Sequence, residues 1–155
     1  MRGRRPGLAL AVLCAGAAVL AALVVVEATR SAGEPSRAGY LAAVETICQR
    51  YDERLDRIPP PGDLSSPGSV VESLRQALPV LREQEREVRG LAAPVELRRQ
   101  LARFFTFTDR SLAALGEALD AALERALYPM ATALTRFGEQ RDEAKRVARE
   151  IGFQC

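Results

Sequence analysis

The 155-residue chain contains no histidine and no tryptophan, and Lys145 is its only lysine. Histidine is the commonest general base near neutral pH and a usual zinc ligand. Its absence also removes the carboxylate–histidine pairs of di-iron helical bundles. We therefore expect no catalytic, cofactor-binding or metal-binding residues, and we predict that the protein is not an enzyme.

Basic charge is not clustered in the body of the chain. The formal net charge is +2, but Arg2, Arg4 and Arg5 all precede the first apolar run, so the remainder is close to neutral. A nucleic-acid-binding protein needs a basic face to attract phosphates. We expect no nucleic-acid partner.

Residues 8–26 form a run of 19 positions without a charge. A helix of that length rises about 1.5 Å per residue and can cross a hydrocarbon core of about 30 Å. Signal peptides have a shorter apolar core of about 7 to 15 residues, so the length favours a retained single-pass signal anchor. Charge bias places residues 1–7 in the cytoplasm and everything after residue 26 outside it.

Two other interpretations of this segment stay open. Val26 and Ala28 are small enough for a signal peptidase to cleave before Thr29, which would give a secreted protein. Acylation of Cys14 would make a lipoprotein, but a lipobox needs a small residue immediately before the cysteine and Leu13 is large. We interpret Cys14 as an apolar residue within the membrane span.

Helical periodicity dominates the rest of the chain. Residues 27–37 are small and polar and are predicted to be a flexible tether. The helical bundle is expected from residue 38 to residue 155, with a first helix that runs to Ile58 and ends before "PPPG". Ser69 and Glu72 have the spacing of a capping box, which predicts the start of the second helix there.

Prolines divide the later helices. Pro79 is expected to kink the second helix without ending it, since the apolar spacing resumes in phase. Pro94 predicts the start of the third helix. One helix from there to Ile151 would be about 87 Å long and would lack partner surface, so we expect a turn near residues 127–129.

These segments predict an all-α fold, because no stretch alternates apolar and polar residues as a strand would. The expected architecture is an N-terminal transmembrane helix followed by an antiparallel up-down four-helix bundle.

The C-terminal motif "EIGFQC" predicts how the fourth helix ends. Gly152 suits a left-handed helix stop, with Phe153 packing back on the last turn. Beyond the membrane the chain has two cysteines, Cys48 and Cys155, in a compartment that permits disulfides. An antiparallel bundle brings the end of the fourth helix beside the first half of the first, so we predict a Cys48–Cys155 disulfide. Two unpaired thiols, or an intermolecular bond that makes a dimer, are the alternatives.

The sequences around Cys48 and Cys155 resemble those of a known group of proteins. "ICQRYDERLDRIPPPGDL" at residues 47–64 and "AREIGFQC" at residues 148–155 resemble small actinobacterial extracytoplasmic helical proteins of unassigned function, some membrane-anchored and some lipoproteins. The likeness covers residues from about 40 to 155. It implies an extracytoplasmic location and the disulfide, and it implies no activity.

"FFTF" is the most distinctive apolar motif of the bundle. Phe104, Phe105 and Phe107 are three of the five phenylalanines, and on a helix they cannot all face one core line. Burial between several helices is one interpretation. The other is that they form the wall of an apolar groove for a partner helix or a lipid-like ligand.

Acidic residues are densest at Asp52, Glu53 and Asp56, where they alternate with arginines. We interpret the segment as a self-paired, solvated helix surface and not as a cation site. Glu85 and Arg89 have the spacing of an ion pair on one helix face.

The sequence thus predicts a membrane-anchored extracytoplasmic protein that serves the cell envelope as a non-enzymatic binding or structural module. Its expected partners are the membrane and an envelope protein. The alternatives are an extracytoplasmic ligand-sensing bundle, a secreted helical protein, and an enzyme that uses acidic residues alone.

Overall fold

The computed structural model describes residues 35–154. The expectations for the cytoplasmic segment 1–7, the anchor 8–26, most of the tether, Cys14 and Cys155 lie outside the described residues. Among the helices of residues 35–154, none combines the length and the apolarity needed to cross a membrane.

Four helices, and no strand, occupy the described part of the chain, so the all-α prediction is confirmed there. They are α1 (Arg37–Leu55), α2 (Pro67–Gly90), α3 (Arg98–Leu123) and α4 (Leu127–Ile151), with a short 3-10 turn at Val95–Leu97 before α3.

Helix α1 begins slightly earlier and ends earlier than the sequence predicts. The hydroxyl of Ser36 accepts a hydrogen bond from the backbone amide of Gly39 at 3.1 Å, which caps the first turn. The helix ends at Leu55, and Ile58 lies in the following turn, where its amide donates to the Leu55 carbonyl at 2.9 Å. The predicted tether therefore ends one residue sooner, and α1 is one turn shorter at its C-terminal end.

The expected capping box at Ser69 is wrong. Helix α2 begins at Pro67. Proline has no backbone N–H, but the N–H groups of a first helical turn have no acceptor within the helix, so no hydrogen bond is lost there. Ser69 is consequently already inside the first turn, and its hydroxyl accepts from the amide of Asp63 at 3.3 Å. The helix continues through Pro79, as predicted.

The predicted separation of the third and fourth helices is confirmed, but the turn lies three residues earlier. Arg125 has a φ of 58°, in the left-handed region, and ends α3. Pro129 belongs to the first turn of α4, where the helix needs no amide donor.

Contacts across the helix interfaces establish that successive helices run antiparallel, since moving forward along one helix means moving back along the next. Two ion pairs show this for α1–α2 and two for α3–α4, and for α2–α3 one ion pair is joined by the Arg82 guanidinium, which lies beside Gly116. The pairs are Arg50–Glu87 and Arg54–Glu83 between α1 and α2, Arg89–Asp109 between α2 and α3, and Arg103–Glu150 and Arg136–Glu117 between α3 and α4.

Helix α1 lies beside only part of the bundle. It has 19 residues, whereas α2, α3 and α4 have 24, 26 and 25. Arg54, next to the end of α1, pairs at 2.9 Å with Glu83, which lies well inside α2. The half of the bundle beyond Leu55 is therefore built from three helices.

The buried residues form two cores that reflect this difference. The first core contains α1 residues together with residues from the other helices, among them Tyr40, Val44, Tyr51, Val88, Leu101 and Ile151. The second core contains residues of α2, α3 and α4 only, among them Val70, Leu78, Leu115, Ala118 and Met130.

The C-terminal end of α4 returns to the start of α1, as predicted. Gly152 has a φ of 102°, and the amide of Phe153 donates to the Ala148 carbonyl at 2.9 Å, which completes a Schellman-type stop. Arg37 donates to the carbonyl of Ile151 at 2.9 Å. Phe153 packs beyond its own helix, with its ring centroid 6.4 Å from that of Tyr40.

Replacement of Gly152 by alanine tests this stop. An L-residue is disfavoured by about 1–2 kcal/mol in the left-handed region, so we expect Gly152→Ala to destabilise the fold by about 1 kcal/mol. Gly138→Ala is the matched control on the same helix, because Gly138 has ordinary helical geometry and open space around it. The control should raise stability by about 0.5–1 kcal/mol. Thermal unfolding followed by circular dichroism measures both, and shifts in the same direction would contradict the assignment.

Candidate functional site

A cleft of about 320 Å³ lies between the four helices. Its size is at the lower end of the range of about 300–1,000 Å³ found for small-molecule sites. Most of its wall is apolar, with contributions from every helix that include Val44, Leu55, Leu81, Val88, Phe104, Phe105, Leu112, Phe137, Ala144 and Ala148.

Two of the three phenylalanines predicted to form an apolar groove line this cleft. Phe104 and Phe105 are in its wall, and Phe107 is not. Phe107 packs half-buried against the first core, and the guanidinium of Arg110 lies 5.9 Å from the centre of its ring. Phe104 also contacts Phe153, with ring centroids 5.3 Å apart.

Hydroxyl groups in the wall add little polarity. The hydroxyl of Thr108 donates to the Phe104 carbonyl of its own helix at 3.0 Å. Ser111 is only 7% exposed. The interior therefore offers mainly apolar surface to a ligand.

The α2–α3 side of the cleft is closed by one arginine. Arg89 pairs with Glu85 of its own helix, as predicted, and with Asp109 of α3 at 2.7 Å. Its guanidinium also lies 4.5 Å from the centre of the Phe105 ring, a cation–π arrangement. Glu85 is thus a neutralised carboxylate in the cleft wall.

The α1–α2 side is closed by a network around Tyr51. Its hydroxyl donates to Glu87 at 2.9 Å, and Arg50 pairs with the same carboxylate. The hydrogen bonds from Arg50 and Tyr51 lower the pKa of Glu87. Burial, reinforced by the bond to Glu87, raises the pKa of Tyr51.

This network changes the interpretation of the acidic segment. Arg50 and Arg54 pair with Glu87 and Glu83 of α2 and not with the acidic residues beside them in the sequence, so the expected self-paired surface is wrong for these two arginines. The bond from Arg54 lowers the pKa of Glu83. Within residues 35–154 no group of histidine, cysteine or carboxylate side chains is arranged to hold a metal ion.

The α1–α4 side is open. The backbones of these two helices do not pack closely along their length, in contrast to the other three adjacent pairs. No ion pair joins α1 to α4 in the described part of the chain. The exposed residues that line the cleft are Asp52 on α1 and Arg141 and Lys145 on α4. We call this opening the mouth of the cleft.

Cys48 and Phe153 form the end of the cleft nearest the C-terminus. Cys48 is buried, with 5% of its surface exposed. The other two cysteines of the sequence, Cys14 and Cys155, lie outside the described residues.

Sequence reasoning found the phenylalanines of the cleft but missed the cleft's mouth. The sequence predicts Asp52 only as part of a solvated acidic surface, and no pattern in it places Arg141 or Lys145 at a cleft. The one available signal was Lys145, the only lysine in a chain otherwise supplied with arginine.

Comparison with protein-family models, with curated proteins and with solved structures finds no match to this chain.

Proposed function

We propose that this protein is a single-pass, membrane-anchored module whose extracytoplasmic helical bundle binds a small apolar ligand without transforming it. The observation that carries the proposal is the apolar cleft, which is accessible only from the α1–α4 side among the described helices. Ion pairs close its α1–α2 and α2–α3 sides, and close packing of α3 against α4 closes the third. A secreted protein with the same cleft is the alternative if residues 8–26 are cleaved as a signal peptide.

The chemistry of the cleft favours binding over catalysis. Its two carboxylates, Asp52 and Glu85, come from different helices, but Glu85 is neutralised by Arg89. The remaining wall offers side chains that hold an apolar group by burial, which contributes about 25 cal/mol per Å² of apolar surface.

The extracytoplasmic location is supported by the uncharged run at residues 8–26 and by the three arginines before it. We further propose that Cys155 is the disulfide partner of Cys48. Gln154, the residue before Cys155, lies in a surface depression together with Val44, which is one helical turn before Cys48. By the chain-entropy model, a disulfide that closes a loop of about 100 residues contributes about 4.7 kcal/mol.

Peptide mapping tests the pairing. Protein taken from its native envelope and digested without reduction should give one species in which the peptide around Ile47 is joined to the peptide that contains Phe153. Reduction should separate the two. Alkylation of both Cys48 and Cys155 without prior reduction would rule out the bond and remove one argument for an oxidising compartment.

Obstruction of the cleft tests ligand binding. Thr108 lines the cleft, so Thr108→Phe should fill it and weaken binding of the neutral fluorescent probe N-phenylnaphthylamine at least about tenfold. Thr106→Phe is the matched control, since Thr106 is an exposed residue of the same helix whose hydroxyl also donates to the carbonyl four residues earlier. Equal binding by wild type and both variants, each folded by circular dichroism, would reject the cleft as the site.

A further inference from the structure

The charged side chains at the mouth of the cleft are not paired across the helix interface, unlike those that join the other adjacent helices. The side chains of Asp52 and Lys145 have no hydrogen-bond or ion-pair partner within residues 35–154. Arg141 pairs only with its sequence neighbour Asp142, at 3.3 Å, and both side chains are exposed. Its guanidinium also lies 5.5 Å from the centre of the Phe137 ring in the cleft wall. The mouth therefore offers groups of both signs that are available to a ligand.

These groups are arranged by sign. The acidic group, Asp52, is on the α1 side of the mouth, and the basic groups, Arg141 and Lys145, are on the α4 side. Within residues 35–154 no ion pair crosses the mouth, so the charged groups of both sides can bind a ligand. A ligand that fills the cleft and emerges here lies between a carboxylate and two cations.

A head group that carries a single charge is attracted by the residues on one side of the mouth and repelled by those on the other. An anionic head group would bind Lys145 and Arg141 but would be repelled by Asp52. A cationic head group would bind Asp52 but would be repelled by the two basic residues. A head group with one charge of each sign is attracted by both sides, and electrostatic complementarity of this kind discriminates between ligands.

From this arrangement we infer that the ligand is a single-chain zwitterionic amphiphile. Its alkyl chain occupies the cleft between Phe104, Phe105 and the other apolar side chains. Its cationic group lies at Asp52, and its anionic group lies at Lys145 and Arg141. This inference rests on the proposed function, since it requires that the cleft bind an apolar chain.

Three single-chain amphiphiles of nearly equal chain length and different head group test it: decylphosphocholine, decanoate and decyltrimethylammonium. The full chain is held in lipid nanodiscs, and each amphiphile displaces N-phenylnaphthylamine below its micelle-forming concentration. Nanodiscs that carry the Thr108→Phe variant provide the blank, so that only displacement from the cleft is counted.

Wild-type protein should prefer decylphosphocholine to either singly charged probe by about fivefold, the size of effect that exposed ion pairs produce. Salt should reduce the preference, because it screens exposed charges. Asp52→Asn should remove the preference over decanoate and leave the preference over decyltrimethylammonium. Lys145→Gln should weaken the preference over decyltrimethylammonium and leave the preference over decanoate. The weakening should be partial, because Arg141 remains.

Glu53→Gln is the matched control, because Glu53 is an exposed acid of α1 next to Asp52 in sequence and does not line the cleft. It should leave all three affinities unchanged. Equal binding of the three probes, or a preference that Asp52→Asn does not alter, would overturn the zwitterionic assignment while the cleft remains a binding site. No displacement beyond the Thr108→Phe blank by any probe would overturn the proposed function and this inference together.

Discussion

The limited length of α1 is the constraint on which the rest of the structure depends. The proline run keeps α1 from continuing beside its neighbours, so α2, α3 and α4 extend past it and form a core of their own. Ion pairs tie α1 to α2, α2 to α3 and α3 to α4, but none ties α1 to α4 in the described part of the chain. The cleft lies where four-helix packing gives way to three-helix packing, and it opens at the interface without ion pairs.

One end of the α1–α4 interface is nevertheless held firmly. Arg37 satisfies the last carbonyl of α4, and Phe153 packs between Tyr40 and Phe104. These contacts fix the start of α1 against the end of α4 and Phe153, and the proposed disulfide would add a covalent bond beside them. The result is a pair of helices joined near the C-terminus and separated farther along, which is the shape that an elongated apolar ligand requires.

Local chemistry allowed the helices and some of their ends to be predicted from the sequence. The periodicity, the break before α4 and the glycine stop at Gly152 all depend on residues close together in the chain. The errors arose where a distant or competing partner decided the outcome. Ser69 binds a loop amide because Pro67 had already begun α2, and Arg50 binds across to α2. The cleft depends on the relative lengths and spacing of four helices, and no local pattern encodes that spacing.

Photo-crosslinking tests most directly whether the cleft is the ligand site. A decylphosphocholine analogue with a photoreactive diazirine at the end of its chain is bound to the full-length protein, irradiated and mapped by peptide sequencing. We predict adducts on the residues that line the cleft on α3 and α4, in particular Phe104, Thr108 and Ala144, and their loss in the Thr108→Phe variant. Adducts confined to the exposed apolar residues at the α3–α4 turn, Leu123, Leu127 and Tyr128, would contradict the account.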